Sequence, residues 1–303
     1  MITPEEVVDG VGERYGRHPG YRALHAKGMF CKATFAATPE AASLTRAAHM
    51  QGDPIEATVR LSNGSGVPES KDYVPDVRGM ATQFHLPDGS RTDISAQTAP
   101  HFPVTTVEGF VETVQANVPG IARAWKIPLF LARHPSAIPG IKGNLEALTP
   151  RPSFASYRYF AIHAFNWVNV DGEEQYVRYT WLPEAEEEKI SPSEGKKRGP
   201  DFLQDEMRER LAGGVARFTL QLQLAEADDA TDDPTARWPD DRRTVDVGTL
   251  ELNEVIETLE TDENIHVFDP MRLTDGIEPS DDPILRYRPR AYDVSARRRW
   301  SGG

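Results

Sequence analysis

Two short constellations carry the chemistry that this sequence can offer. Near the start stands Arg22-Ala23-Leu24-His25-Ala26-Lys27-Gly28, with an arginine three positions before a histidine. Near the end stands Arg288-Pro289-Arg290-Ala291-Tyr292, with an arginine four positions before a tyrosine. An imidazole poised near neutral pH can take a proton from one atom and give it to another. A phenol titrates near about 10, and a guanidinium beside it favours the anion. On a helix, Arg288 and Tyr292 would face the same way. Taken alone, however, His25 reads as a hydrogen-bonded core histidine, and Tyr292 as a surface tyrosine among Arg286, Arg288 and Arg290.

The rest of the chain must position these groups. Residues 1–20 predict a short helix with Thr3 as its cap and Pro4 in its first turn, then a loop at His18-Pro19-Gly20. Residues 27–38, 55–62, 79–86 and 91–96 alternate apolar and polar side chains as strands do. From Val107 the period becomes helical, and a proline-punctuated stretch follows to about Leu148. Residues 154–170 and 174–182 predict a hairpin with Asp171-Gly172 at its tip. Residues 184–199 read as a charged loop, 201–212 as a helix with Asp201 as N-cap, and 216–224 as a strand. Residues 226–243 read as an acidic solvated loop, 245–252 as the last strand, and 282–300 as a basic helical segment. Strands come in two groups with helices between and after, unlike a parallel α/β sheet. The expectation is an α+β fold: an antiparallel barrel of about eight strands with flanking helices, one domain over residues 1–303.

Composition narrows the partners. Acidic residues outnumber basic ones, 47 to 34, for a formal charge of −13; such a surface repels nucleic-acid phosphates and anionic membranes. The single cysteine, Cys31, allows no internal disulfide, four-cysteine zinc site or iron–sulfur cluster, which suits a cytoplasmic protein. The first ten residues lack the basic and apolar regions of a signal peptide, and no apolar run approaches the roughly 18 residues of a membrane span. H-E-x-x-H, G-x-S-x-G and P-loop motifs are absent. Gly10, Gly12 and Gly16 follow no strand, so they do not read as a dinucleotide loop. Asp228-Asp229 and Asp232-Asp233 read as solvated loop rather than a metal site.

Read together, three stretches change the meaning of His25 and Tyr292. The first is Tyr21 to Gly28. The second runs from Asp76-Val77-Arg78-Gly79-Met80-Ala81 through Phe84 to Asp93-Ile94-Ser95-Ala96-Gln97-Thr98-Ala99-Pro100. The third comprises Phe268-Asp269-Pro270, Gly276-Ile277-Glu278-Pro279-Ser280 and Leu285 to Tyr292. In this order they resemble the haem catalases, with their distal R-x-x-H-A-K-G, their D-x-R-G-x-A strand opening and their proximal R-x-x-x-Y after F-D-P and G-I-E-x-S. The similarity runs in register from about Arg22 to Arg299. It implies haem b as cofactor, and Tyr292 as the iron ligand, tyrosinate ligation being the known arrangement in catalases. It implies His25 as the distal acid–base, and Arg22, Arg60 and Arg288 as the arginines at the haem propionates and the phenolate. Ser62 would orient the imidazole, and Phe110 would stack on the distal porphyrin face. The family's distal asparagine falls at Gln97, beside Thr98. His49, His85, His101, His134, His163 and His266 receive no role and are expected to be structural or superficial.

His25 lies close to the start, and 11 residues follow Tyr292. The resemblance is therefore to the minimal catalase-related peroxidases rather than to full catalases with their long arm and helical tail. The implied activity is reduction of organic hydroperoxides or hydrogen peroxide by a small organic electron donor, with weak or no catalase activity. A non-catalytic haem carrier or sensor, a lipid-hydroperoxide-converting enzyme of the same fold, and a haem-free binder of a small ligand are the alternatives. Without the interlocking arm, a homodimer or monomer is expected rather than a tetramer, with no nucleic-acid or membrane partner.

Overall fold

Thr3 starts the first helix, α1 (Pro4–Tyr15), through a reciprocal cap: its hydroxyl accepts from the Glu6 N–H, and the Glu6 carboxylate accepts from the Thr3 N–H. There follow β1 (Gly28–Ala37), the short α2 (Pro39–Leu44), β2 (Ile55–Asn63), β3 (Arg78–His85) and β4 (Arg91–Gln97). Three helices interrupt the strands: α3 (Val107–Ala116), α4 (Arg123–Arg133) and α5 (Ala137–Gly143). The second half holds β5 (Tyr159–Val168), β6 (Glu174–Pro183), α6 (Pro192–Arg198), α7 (Phe202–Gly213), β7 (Ala216–Leu224), β8 (Thr244–Ile256), β9 (Ile277–Pro279) and α8 (Pro283–Trp300). The computed structural model describes residues 2–117, 123–135, 137–257, 260 and 265–300.

All strand pairs are antiparallel. β1 bonds to both β2 and β8, the two hairpin runs continue outward to β4 and β5, and those meet at Gln97 and Phe160. Eight strands thereby close into a barrel, and β9 adds to β5. That single bridge joins the two outermost edges of the sheet. The core fills by alternation, seen most clearly in β7, where Ala216, Phe218, Leu220, Leu222 and Leu224 are buried. Inside, the ring of Phe35 lies edge-on to Phe84 at 5.1 Å and to Trp181 at 6.2 Å, a favoured aromatic geometry. β2 is buried on both faces from Ala57 to Asn63. Val59 and Leu61 belong to the hydrophobic core, whereas Arg60 and Ser62 face a cavity on the other side. Outside that face, α1, α3 and α8 pack on one another. Among the described residues no helix is long and apolar enough to cross a membrane.

Four expectations need correction. Residues 184–199 are not all loop: the Ser191 hydroxyl accepts from the Glu194 N–H and Pro192 fits the first turn, so α6 forms. Residues 226–243 lack regular structure but are not merely solvated, since Trp238 is buried with the Arg178 guanidinium 4.4 Å from its ring centre. Asp201 stands before α7 without capping it. The cap comes from Asp72, whose Oδ2 accepts from the Leu203 N–H, while Asp201 pairs with Lys27. β8 also runs beyond 245–252, and β9 follows it as a further strand.

Lys27 explains the lysine of the first motif. Its buried ammonium donates to Asp72 Oδ1 at 2.7 Å and to the carbonyls of Ser70 and Pro200, each at 2.9 Å. Asp72 also accepts from Asn63 Nδ2 at 2.8 Å. One buried ion pair thus pins the start of β1, the end of β2 and the start of α7. Replacing one partner of such a pair leaves the other charged, dry and alone, at a cost of about 3–5 kcal/mol. Lys27→Met is expected to lose stability of that size in urea unfolding; a loss under about 1 kcal/mol would show that Asp72 finds other compensation.

Candidate active site

A cavity of about 300 Å³ lies between the β2–β3–β4 face of the barrel and the wall of α1, α3 and α8. Its lining brings together all eight residues expected from the sequence: Arg22, His25, Arg60, Ser62, Gln97, Phe110, Arg288 and Tyr292.

On the barrel side, His25 has a φ of 56°, in the left-handed region that non-glycine residues seldom occupy. Such strain costs on the order of 1–3 kcal/mol and needs surroundings that enforce it. Arg60 does so from beneath: Nη2 donates to the carbonyls of His25 at 2.9 Å and Ala26 at 3.3 Å. The His25 N–H donates to the Gly64 carbonyl at 3.1 Å. The ring Nδ1 lies 3.0 Å from Ser62 Oγ, which leaves Nε2 to serve the cavity. Burial by the packed walls, then the positive charges of Arg60, Arg288, Arg22 and Arg78, push the imidazole down to about 3. At neutral pH it is uncharged and able to accept a proton. Two glycines make room. A Cβ on Gly28 would sit 2.6 Å from Arg60 Nη2, and one on Gly79 would sit 2.7 Å from both His25 Nδ1 and Ser62 Oγ.

On the helical side, Arg288, Ala291, Tyr292, Ser295 and Arg299 line the cavity from one face of α8. Arg288 Nε donates to Tyr292 Oη at 2.8 Å. Asp282 anchors the helix: Oδ1 accepts from the N–H groups of Ile284 and Leu285, and Oδ2 lies 2.5 Å from His163 Nδ1. Phe102 and Phe110 stack at 5.3 Å and supply apolar wall.

At one edge, Arg22, Arg60 and Arg299 converge. Arg22 donates from both terminal nitrogens to the Glu260 carboxylate, each at 2.6 Å, and Arg299 Nη1 donates to it at 3.1 Å. Burial opposes the charge on Glu260. The Arg22 hydrogen bonds and the charges of Arg22, Arg299 and Arg60 outweigh it and hold the carboxyl below its ordinary value. Arg60 Nε and Arg299 Nε are buried without a hydrogen-bond partner. Orphaned guanidinium donors in a dry site call for further carboxylate acceptors. An apolar slot with a phenol on one side, an imidazole on the other and guanidinium donors along an edge fits a haem. Among the described residues no group of three or more His, Cys, Asp or Glu side chains could hold a metal ion by itself.

Several neighbours escaped the sequence reading. Arg299 follows Tyr292 by seven residues, two helical turns on one face, so its signal was readable. Glu260 lies in an acidic stretch where nothing marks it out. His266 lines the cavity, which nothing in the sequence signals, whereas His163, buried against Asp282, is structural as expected. Of the neighbours Gln97 and Thr98, Gln97 lines the cavity, while the Thr98 hydroxyl accepts from the Arg78 N–H and donates to the Ala147 carbonyl.

The profile of the Catalase family matches residues 17–303. The chain belongs to the catalase family. It is 42% identical over 298 residues to the catalase-related peroxidase of Mycolicibacterium paratuberculosis, covering 98% of this chain and 95% of that one. To the catalase-related peroxidase of Synechococcus elongatus it is 31% identical over 306 residues, covering 99% and 90%. Catalase-2 of Bacillus subtilis is matched at 25% identity over 89% of this chain but 42% of its own length. The fold of a solved bacterial catalase superposes with a TM-score of 0.82 at 22% identity, over 93% of this chain and 58% of that one. A fungal catalase superposes with a TM-score of 0.83 at 21% identity, over 99% and 63%. The catalase-like barrel with flanking helices is therefore the fold of this chain.

The depressed imidazole gives a pH prediction. An unfolded histidine titrates near about 6.5, so the stability tied to neutral His25 is present above that pH and is lost as pH falls toward about 3. In nitrogen-15 NMR, His25 is expected to stay neutral from about pH 8 to about pH 4. A midpoint near 6.5 would mean that the walls do not exclude charge from the ring.

Proposed function

We propose that this protein is a haem-dependent peroxidase that reduces hydrogen peroxide or an organic hydroperoxide with electrons from a small organic donor, and that its catalase activity is weak. The observation that carries the reading is the opposed pair across one cavity, His25 with Ser62 on the barrel wall and Tyr292 with Arg288 on α8. The family membership and the names of two relatives matched over nearly their whole length support it.

Haem b is the cofactor proposed. Tyr292 Oη would hold the iron, with the Arg288 guanidinium favouring the phenolate. Arg22, Arg60 and Arg299 would meet the two propionates, and Phe110 would lie against the porphyrin. When bound, haem supplies an iron centre that takes oxidising equivalents from the peroxide and passes them to the donor. The chain's own groups manage the protons. His25 Nε2 would accept a proton from a peroxide in the cavity and give it back to the departing oxygen, which needs that proton to leave as water or alcohol. Ser62 oxygen, accepting from Nδ1–H, would keep Nε2 unprotonated and ready. Gln97 lines the same cavity, and its amide would donate a hydrogen bond to the peroxide. It carries one more methylene and one more rotor than the family's asparagine. Looser positioning of that donor would weaken peroxide oxidation more than oxidation of an organic donor.

Tyr292→Phe keeps the ring and removes the oxygen. Weak haem retention and an altered ferric spectrum are expected; a variant with the parent's haem content and spectrum would exclude Tyr292 as ligand. For His25 the suitable replacement is asparagine, which tolerates left-handed backbone. His25→Asn is expected to keep haem and to slow the stopped-flow reaction with peroxide by about 10²–10⁴-fold, and an unaltered rate would remove His25 from the mechanism. Oxygen release compared with dye oxidation on one preparation tests the activity itself. Dominant oxygen release would make the protein a catalase in function.

A further inference from the structure

We propose that Glu260 selects the electron donor: it cancels the residual positive charge at the arginine edge, so that cationic and neutral aromatic donors are oxidised in preference to anionic ones. This rests on the haem reading above.

The three guanidinium groups differ in their access to solvent. Arg60 is buried and spends Nη2 on the carbonyls of His25 and Ala26. Arg22 and Glu260 keep 17% and 21% of their side-chain surface open, more than Arg60 or Arg299, so this pair is the accessible part of the edge. Glu260 is held by both terminal nitrogens of Arg22, by Arg299 Nη1 and by the N–H of His266 at 2.9 Å. So held, its carboxylate is a fixed charge rather than a wandering one. Three guanidinium cations set against two haem carboxylates leave one positive charge. Glu260 removes it.

The surroundings act in the same sense. The chain as a whole carries −13, a field that draws cations and repels anions within about a Debye length of the surface. Burial keeps the His266 imidazole below its ordinary value, so it adds no charge at neutral pH. Its half-exposed ring extends an aromatic cluster outward, with centroids 6.0 Å from Phe30, which in turn lies 6.3 Å from Phe268. Phe30 and Phe268 are buried, so the His266 ring is the part of the cluster that an aromatic donor could meet, next to a carboxylate that favours a positive substituent.

Tyramine, p-cresol and 4-hydroxyphenylacetate share one phenol and differ in charge. With the haem-loaded full chain, kcat/KM is expected to fall in that order, and added salt is expected to narrow the spread. Glu260→Gln should shift the ratio of tyramine to 4-hydroxyphenylacetate, each normalised to p-cresol, toward the anion by about tenfold. Glu260→Asp, which keeps the charge, should retain the parental order. Dissociation constants for the three phenols, from absorbance titration of the resting enzyme without peroxide, should move the same way. The proposal is overturned if the parent shows no charge preference, or if Glu260→Gln lowers haem content and all three rates alike, as a mere support for Arg22 would. Should Glu260→Gln fail to load haem, the order and salt dependence of the parent decide. Haem content and p-cresol oxidation are read first: their absence would refute the haem reading, whereas their presence with an unmoved ratio refutes only the role of Glu260.

Discussion

The arrangement depends on one buried guanidinium. Arg60 reaches from β2 past Gly28 to grip the backbone of His25 and Ala26, and its positive charge helps to hold the imidazole neutral. Without that grip the left-handed turn at His25 would relax, since a β-carbon in that region is sterically disfavoured. The ring would then leave Ser62. The same arginine presents an orphaned Nε to the edge where carboxylates belong. One side chain thus sets the acid–base group, its protonation state and part of the cofactor edge.

Placing Arg60 there constrains the barrel. β2 must be buried on both faces, with core on one side and cavity on the other, so the external helices are part of the site rather than decoration. The charge taken indoors is balanced nearby. Lys27 meets Asp72, His163 meets Asp282, and Arg22 with Arg299 meets Glu260. Buried pairs of this kind add little net stability, because desolvation offsets attraction. Their value is geometric: each ties together two segments distant in sequence. Asp282 shows this, ordering the first turn of α8 and the His163 ring together.

Much of this was legible in the sequence because it rests on local rules. Alternation located all eight barrel strands, and the spacing of Arg288 and Tyr292 placed them on one face of a helix, where they form a hydrogen bond. The site residues were found through a resemblance; composition alone left His25 as a core histidine. What stayed hidden depends on contacts between distant segments. Asp201 looked like a cap, but Asp72, 131 positions from Leu203, takes the N–H. Glu260 looked like one of many surface acids until Arg22, far away in sequence, claimed it. Local propensity cannot rank two carboxylates competing for one donor, since burial decides, and burial is a property of the assembled fold. α6 was a different omission: Ser191 and Pro192 signalled a helix start, and the surrounding charges drew attention away.

The joint between β4 and β5 bears on motion as well as shape. Elsewhere around the barrel neighbouring strands bond along runs of residues, but here they meet at a single rung, Gln97 opposite Phe160. A cylinder with one weak seam breathes along that seam. Both residues of the rung line the cavity, and Phe160 also borders a second, polar cavity beside Arg151. Local opening of the barrel is therefore expected first at this cavity wall. Amide exchange, slow across the interior strands, should be fastest at this rung, and whatever fills the cavity will damp it. The sparsest joint of the scaffold is thus also a piece of the cavity wall.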